Sequence, residues 1–437
     1  MPVKYDQTTL RKNVNGTPIF LDDLFSKSRP QLEENISTDV LIIGGGLSGV
    51  SVAYNLALKG IDCVLVEQSR IGHGSTGRST GIIVDSVEQD VADLKKTGNG
   101  IHYLFEERRS VDALLQIINQ HNLNCDLETP GSLYIALQER NANRIVSEYE
   151  ARQSEGDVSL LSPQQVKNYL KIDSFQGMHN KRGTMIQPLK FVEGLADLAS
   201  SIGAKIYEKS GIKRLKKESK VAFTSRNNEI KYNKLVMAIA SNVSELEDMI
   251  GKLILYQRCS AATYPLFPEQ LAMLGWHGRE MFWDACEPEY FYGRLTPDNR
   301  IIIGGEGRVI SRSEFNKGAV NRDSSYRRLR YLFETNFPSL ANIQFSHFWS
   351  GVVELAPDNY PMIGEVFPDH NVICSTMGLP FAYKSGEIMA GILDGKELTH
   401  SEFYNLHRNI ESRRLFPIFL GTSLGASLAN LYLRSKR

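Results

Sequence analysis

The residues best suited to chemistry stand close together near the start of the chain. Gly44, Gly46 and Gly49 follow the apolar run Val40-Leu41-Ile42-Ile43 in the spacing Gly-x-Gly-x-x-Gly, and Glu67 closes a second apolar run, Cys63-Val64-Leu65-Val66. Residues of these types in this order hold a dinucleotide within one strand–helix–strand unit. Gly44 permits the tight turn out of the first strand, Gly46 removes the Cβ that would collide with a pyrophosphate, and Gly49 lets the following helix lie against the sheet. Leu47 and Ser48 open that helix, where unpaired backbone N–H groups face the phosphates. The Glu67 carboxylate falls where a ribose hydroxyl would lie. It accepts a hydrogen bond from a 2′-OH and repels a 2′-phosphate, so adenosine diphosphate fits and NADP does not.

Such a site needs a sheet behind it, and the chain is long enough to build one and more. At 437 residues it exceeds one ordinary core, so two domains or one elaborated α/β domain are expected. A hydrophobic fraction of 42% with 23% charged residues is that of a globular protein, not of a disordered or fibrous one. Lys plus Arg and Asp plus Glu balance at 50 each, which argues against a nucleic-acid partner or a dominant anionic-membrane surface. The five cysteines, Cys63, Cys125, Cys259, Cys286 and Cys374, lack CxxC spacing, so neither a metal site nor a disulfide framework is indicated and a reducing, cytoplasmic setting is expected. No basic region followed by an apolar run opens the chain, so no signal peptide is expected. Residues 415–433 carry no charge, with Leu420, Leu424, Leu428 and Leu431 in one helical stripe and Pro417, Gly421, Ser423, Gly425 and Asn430 diluting it. This tail reads as an amphipathic helix docked on the protein or at a membrane surface, not as a spanning one.

The first 36 residues read as a lead-in segment over the surface. After the nucleotide motif comes the glycine-rich loop 72–81, then helical apolar spacing over 90–121, including Ile101, Leu104, Phe105, Val111 and Leu114. Strand-like residues 132–137 and polar helices near 139–170 begin a different region. A turn at 183–188 and a helix over 189–201 lead to strands at 205–207 and 212–232 and to a buried parallel strand at 234–240. Further strand signals fall at 258–264, 289–295 and 300–304.

Four blocks, in this order, resemble the D-amino-acid oxidase superfamily of FAD-dependent oxidoreductases, whose members include glycine oxidase, sarcosine oxidase and gamma-glutamylputrescine oxidoreductase. They are the fingerprint with Glu67; the loop 72–81; the turn 183–188 with its helix; and Trp349-Ser350-Gly351 followed by residues 356–364 and Met377-Gly378-Leu379-Pro380. The loop, with Gly74, Ser75, Gly77, Arg78 and Ser79, most resembles the gamma-glutamylputrescine oxidoreductase group, although Thr80 replaces a glycine of that pattern. The resemblance implies an α/β fold with two parts. A Rossmann-like FAD-binding domain is discontinuous over 1–120, 186–250 and 347–437, and a second, mostly antiparallel-sheet substrate domain covers 121–185 and 251–346. It implies that the loop passes beside the flavin, that Gly378, Leu379 and Pro380 open a helix whose N–H groups favour the anionic reduced ring, and that the Ile212 backbone contacts adenine. Arg78 stands where members with covalent flavin often place histidine, so non-covalent FAD is implied.

The implied reaction oxidises a C–N bond of an amine or N-substituted amino acid by hydride transfer to flavin N5, and water hydrolyses the imine. Positioning then matters more than a dedicated catalytic base, and no catalytic residue is assigned. Oxygen, a quinone or a partner protein would reoxidise the flavin. Glycine oxidase carries a carboxylate-pairing arginine at the position aligned with Val353, which cannot make that contact. A secondary amine, or a primary amine with a distant carboxylate, is therefore expected over glycine. Trp283, Tyr290, Phe291 and Tyr292 are either sheet packing or an aromatic wall around the amine, with Tyr290 and Tyr292 on one face and Phe291 on the other. Arg258 and Arg294 are alternative carboxylate partners or exposed salt bridges. Two other readings stand beside the enzyme: an FAD-binding assembly or regulatory subunit without turnover, and an NAD-linked dehydrogenase.

Overall fold

Near-continuous apolar runs in the sequence become strands buried on both faces, as parallel sheets require. The computed structural model describes residues 14, 16–22, 28–85, 90–96, 100–246, 249, 252–286, 290–316, 323–376, 378–396, 401–408 and 423–435. β1 (Ile36–Ile43) turns into α1 (Leu47–Leu58) and returns as β2 (Cys63–Val66). One helical turn, α2 (Ser75–Arg78), and the short β3 (Ile82–Ile83) lead to the long α3 (Gly100–Gln120). Ile101 and Phe105 of that helix stay exposed, at 47% and 58%. β4 (Ser132–Ala136), β5 (Val158–Leu161) and β6 (Gln176–Asn180) belong to a second sheet, and β7 (Thr184–Met185) pairs with β3. α4 (Pro188–Ser201) starts at Pro188 because the Gln187 side chain accepts the N–H groups of Leu189 and Lys190, at 2.7 and 2.8 Å.

β8 (Lys205–Tyr207), the hairpin β9 (Ile212–Lys216) and β10 (Val221–Thr224), and β11 (Glu229–Met237) return to the first sheet. β12 (Ile254–Thr263), β13 (Met281–Asp284), β14 (Tyr292–Leu295) and β15 (Ile301–Ile310) extend the second, with α5 (Asp323–Asn336) packed on it, and β16 (Phe345–Leu355) forms its edge. β17 (Met362–Phe367) and β18 (His370–Cys374) complete the first sheet, α6 (Gly378–Leu393) follows them, and α7 (Ser423–Ser435) is the tail helix.

The first sheet runs β17-β18-β11-β1-β2-β8, with β1 parallel to β2 and β11, and β11 parallel to β18. Leu41, Val64 and Met237 pack on one face, and Val40, Ile42 and Leu65 pack on the other beneath α1, α4 and α6. The second sheet runs β16-β12-β15-β14-β13-β4-β6-β5 and is antiparallel apart from the pair β4–β13. β16 pairs with β12 along its whole length, so residues 347–355, expected with the nucleotide domain, lie in the second sheet. One face of this sheet packs Phe282, Phe291, Ile303 and Phe348 against α5. Ala262, Ile302 and Trp349 of the opposite face join the cluster that contains α1 and α4, so this face meets the helices that cover the first sheet.

Among the described residues no helix is long and apolar enough to cross a membrane. α7 docks on the protein through a polar contact: the Asn430 side chain accepts the Val309 N–H at 3.0 Å and donates to the Val309 carbonyl at 2.8 Å. Ala426 is buried, whereas Leu431 is 66% exposed. The part of the tail over 415–422, with Leu420, Pro417 and Gly421, lies outside the described residues.

Candidate active site

β1 and β18 both run parallel to β11, and each feeds a helix, so the N-termini of α1 and α6 stand at the carboxyl edge of the sheet. That edge is where ligands bind in open α/β folds. The two helices touch closely: Ser51 Oγ donates to the Tyr383 carbonyl at 2.6 Å, and a Cβ on Gly386 would stand 2.3 Å from Ser51 Oγ.

The fingerprint glycines separate by what surrounds them. Gly44 has φ +111°, and a Cβ there would sit 2.3 Å from the Ala238 carbonyl oxygen. A Cβ on Gly49 would sit 2.0 Å from the Gly44 carbonyl oxygen. Both must be glycine for the chain's own packing. At Gly46 a Cβ would meet only Thr76 Oγ1, at 3.5 Å. It opens a cradle that the protein itself does not fill, as a pyrophosphate site requires. The Leu47 N–H donates to Thr76 Oγ1 at 3.0 Å, and Ser48, half-buried, sits in the same first turn. Thr76 was not singled out by the sequence, although its place in a glycine-rich loop was the available signal.

Glu67 Oε2 accepts the Gly45 N–H at 2.7 Å and Oε1 accepts the Ser69 N–H at 2.8 Å, which fixes the carboxylate at the end of β2. The Ser210 N–H donates to the Glu67 carbonyl at 2.7 Å, so the segment entering β9 at Ile212 runs alongside that carboxylate. α6 begins at Gly378, with φ +75°, where a Cβ would meet nothing nearer than Pro380 Cδ at 3.6 Å. Leu379 and Pro380 are buried behind it, and Met377 lies outside the described residues.

The loop 72–81 is not wholly irregular, because residues 75–78 form α2. Gly77 serves packing, since a Cβ would stand 2.6 Å from the Gly72 carbonyl oxygen, whereas Gly74 faces open space. The Arg78 guanidinium turns back onto the carbonyls of His73 and Gly74, and burial holds its pKa below the ordinary value. The loop is tied to β16: Trp349 Nε1 donates to the Arg78 carbonyl at 3.0 Å, and Ser75 Oγ donates to the Val352 carbonyl at 3.3 Å. The Gly81 N–H donates to Ser79 Oγ at 3.2 Å.

Strand register places the candidate substrate residues in rows on the face that meets this loop. One row holds Trp349, Ser260, Gly304, Tyr292 and Trp283; a second holds Gly351, Arg258 and Gly307; a third holds Val353, Tyr256 and Val309. Glycines make room for the rings. A Cβ on Gly304 would stand 2.2 Å from Tyr292 Oη, and one on Gly307 would stand 2.5 Å from Tyr256 Cε1. Tyr292 Oη is also 3.5 Å from Ser260 Oγ. Phe291 is buried on the α5 side, the alternation expected, while Tyr290 precedes the strand and is half-buried. Tyr256 and Ser260 were missed because periodicity alone does not tell which face of a strand meets another domain.

Arg294 is no exposed ion pair. It is fully buried, Nη1 donates to the carbonyls of Thr80, Gly81 and Ile186 at 3.0, 3.2 and 2.8 Å, Nη2 has no partner among the described residues, and burial lowers its pKa to about 10. Glu354, facing away from the rows, is buried as well. Ser241 Oγ lies 3.1 Å from its Oε2, and burial pushes its carboxyl up to about 7.

These features provide an open phosphate cradle, an acidic strand end, two helix N-termini and an aromatic sheet face, which together can hold an extended nucleotide cofactor beside a small substrate. The model of the family described as FAD dependent oxidoreductase matches residues 39–392. Gamma-glutamylputrescine oxidoreductase from Escherichia coli is 25% identical over 391 residues, covering 86% of this chain and 88% of that protein. A probable oxidoreductase, OrdL, from Rhizobium meliloti is 26% identical over 384 residues, covering 84% and 85%. Among solved structures, glycine oxidase from Geobacillus kaustophilus shares the fold with a TM-score of 0.73 at 16% identity, covering 86% of this chain and 99% of that one.

Proposed function

The chain belongs to this family of FAD-dependent oxidoreductases, and from that premise we infer that it oxidises a C–N bond of a small amine or N-substituted amino acid. When bound, FAD supplies the acceptor for the hydride leaving the carbon next to nitrogen. The chain's own residues position and enclose. Gly46 and Ser48 would face the pyrophosphate with backbone N–H groups, Leu47 would line it beside Thr76, whose hydroxyl accepts the Leu47 N–H, Glu67 would accept from the ribose, Ile212 would lie beside adenine, and the segments 74–79 and 378–380 would flank the ring. The open cradle at Gly46, where among the described residues a Cβ would meet only Thr76 Oγ1 at 3.5 Å, is the observation that carries the reading. Tyr292 and the Trp349 row would wall the amine away from water, which keeps it neutral and close to the acceptor.

Non-covalent FAD is supported by Arg78 at the position where a histidine attachment would stand. Acid precipitation should therefore release the yellow colour into the supernatant; flavin retained on the denatured protein would contradict it. The half-buried Val353 offers no charge to a carboxylate on the reacting carbon. Under anaerobic conditions a secondary amine, or a primary amine with a distant carboxylate, should bleach the flavin at least about 100-fold faster than glycine, because an unpaired carboxylate in a desolvated pocket costs several kcal/mol. Equal rates would sink this preference, and bleaching by no amine would favour a subunit without turnover. Reoxidation tested with air, a quinone and neither identifies the acceptor. A reducing, cytoplasmic setting belongs to the same proposal, carried by five cysteines without CxxC spacing.

A further inference from the structure

The third row of the site-facing sheet, Val353 on β16, Tyr256 on β12 and Val309 on β15, carries no charged side chain. The Tyr256 ring leans out of this row onto Gly307 of the second, where a Cβ would stand 2.5 Å from Cε1 and 2.6 Å from Oη. That leaves Val353 and Val309, both half-buried, on the two sides of a trough about 10 Å across, two strand spacings. The Arg258 guanidinium, whose carbon lies 5.2 Å from the centre of the Tyr256 ring, belongs to the second row. α7 ends the trough at Val309. Asn430 holds both the N–H and the carbonyl of that residue, and Gly425 and Ala426, one turn earlier on the helix, are buried. The reverse face of the sheet at this corner is already covered, because Phe315 packs on Leu255, Ile310 and Val352, and Arg308 pairs with Glu314 at 2.9 Å. That leaves α7 the edge of β15 and the side to which Val309 points. From Gly425 to Leu433 the helix has no charged residue, and it lies beyond residues 39–392, the part that matches the family model.

We propose that this trough is a subsite for an apolar arm of the amine and that α7 is its end wall, so the tail helix sets how long an arm the site takes. Methylenes leave water favourably between two valines and an uncharged helix, whereas a second ammonium there would lose its water with no carboxylate in the row. The proposal deepens the amine-oxidising reading and rests on it for the reacting end of the substrate, not for the trough. Straight-chain alcohols from ethanol to octanol hold no C–N bond and probe the trough in the FAD-loaded full-length protein, through the change in flavin absorbance on binding. Affinity should rise about three- to fourfold per methylene and then fall once the chain meets α7. Val309→Phe, which fills the trough, should flatten the rise, and Val309→Ala, which lengthens it, should move the peak to a longer alcohol. Asn430→Ala, which releases the helix from β15, should remove the fall and keep the rise. In turnover, kcat/KM for a series of N-methylalkylamines should peak at the same chain length and move in the same way. A flat alcohol series, or a profile that the Val309 variants or Asn430→Ala leave as it is, overturns the proposal whichever amines are oxidised. If the alcohol profile is found and no amine is turned over, the subsite stands and the amine reading falls.

Discussion

Gly46 and Gly49 belong to one motif and answer to different constraints. A side chain at Gly49 would meet the Gly44 carbonyl oxygen at 2.0 Å, whereas one at Gly46 would meet only a threonine hydroxyl at 3.5 Å. Gly46→Val should therefore fold and melt near the wild-type apoprotein but fail to retain FAD, while Gly49→Val should lose several kcal/mol of stability, as overpacking against backbone does. Flavin content after gel filtration and thermal melts of the apoproteins distinguish the two. Glu354 offers a test by pH. Its carboxyl is raised to about 7 by burial, so the fold favours the neutral acid. The unfolded chain gives up this proton near its ordinary value of 4.5, whereas the fold holds it to about 7, so the group's contribution falls as pH rises through that window and stays low above it. Glu354→Gln should be more stable than wild type at pH 8 by roughly 1–3 kcal/mol, with the gain fading toward pH 5. Urea denaturation at the two pH values checks the sign.

At the scale of elements, the β1–α1–β2 unit was legible because its information is local: a glycine spacing, an apolar run and one carboxylate within a short stretch. The second sheet was legible only as strands. Its site-facing rows join residues far apart in sequence, such as Ser260 with Trp349 and Tyr256 with Val353, and register is set by tertiary pairing that a single strand does not encode. The glycines of β15 were the missed signal, since a glycine inside a strand marks the close approach of another group. Arg294 shows the same limit. Its row faces the end of the loop 72–81, so it is buried against three carbonyls that no local pattern announces. Arg294→Met should cost about 3 kcal/mol or more by leaving buried carbonyls unpaired, and Arg294→Lys, with a point charge in place of a planar fork, should fall between. Chemical denaturation of the variants, with FAD bound, gives the order.

Across the whole molecule, the two sheets are held together where the Trp349 face meets the core of the nucleotide side, and the tail closes one flank by docking on β15. With that docking, full-length protein should partition into the soluble fraction after high salt and alkaline carbonate, as should a version ending at Arg414; release of the full-length chain only by detergent would show a membrane anchor in its place. The Asn430 contact has a further consequence. Beyond Gly304 the outer side of β15 has no neighbouring strand among the described residues, and the carboxamide of Asn430 takes both the N–H and the carbonyl of Val309, doing for one residue what a partner strand would do. A bare N–H and carbonyl there would be an invitation to another extended chain. The tail thus acts as a stopper against self-templating, and shortened protein, though still folded, should associate in a concentration-dependent way, visible by light scattering, that the complete chain does not show.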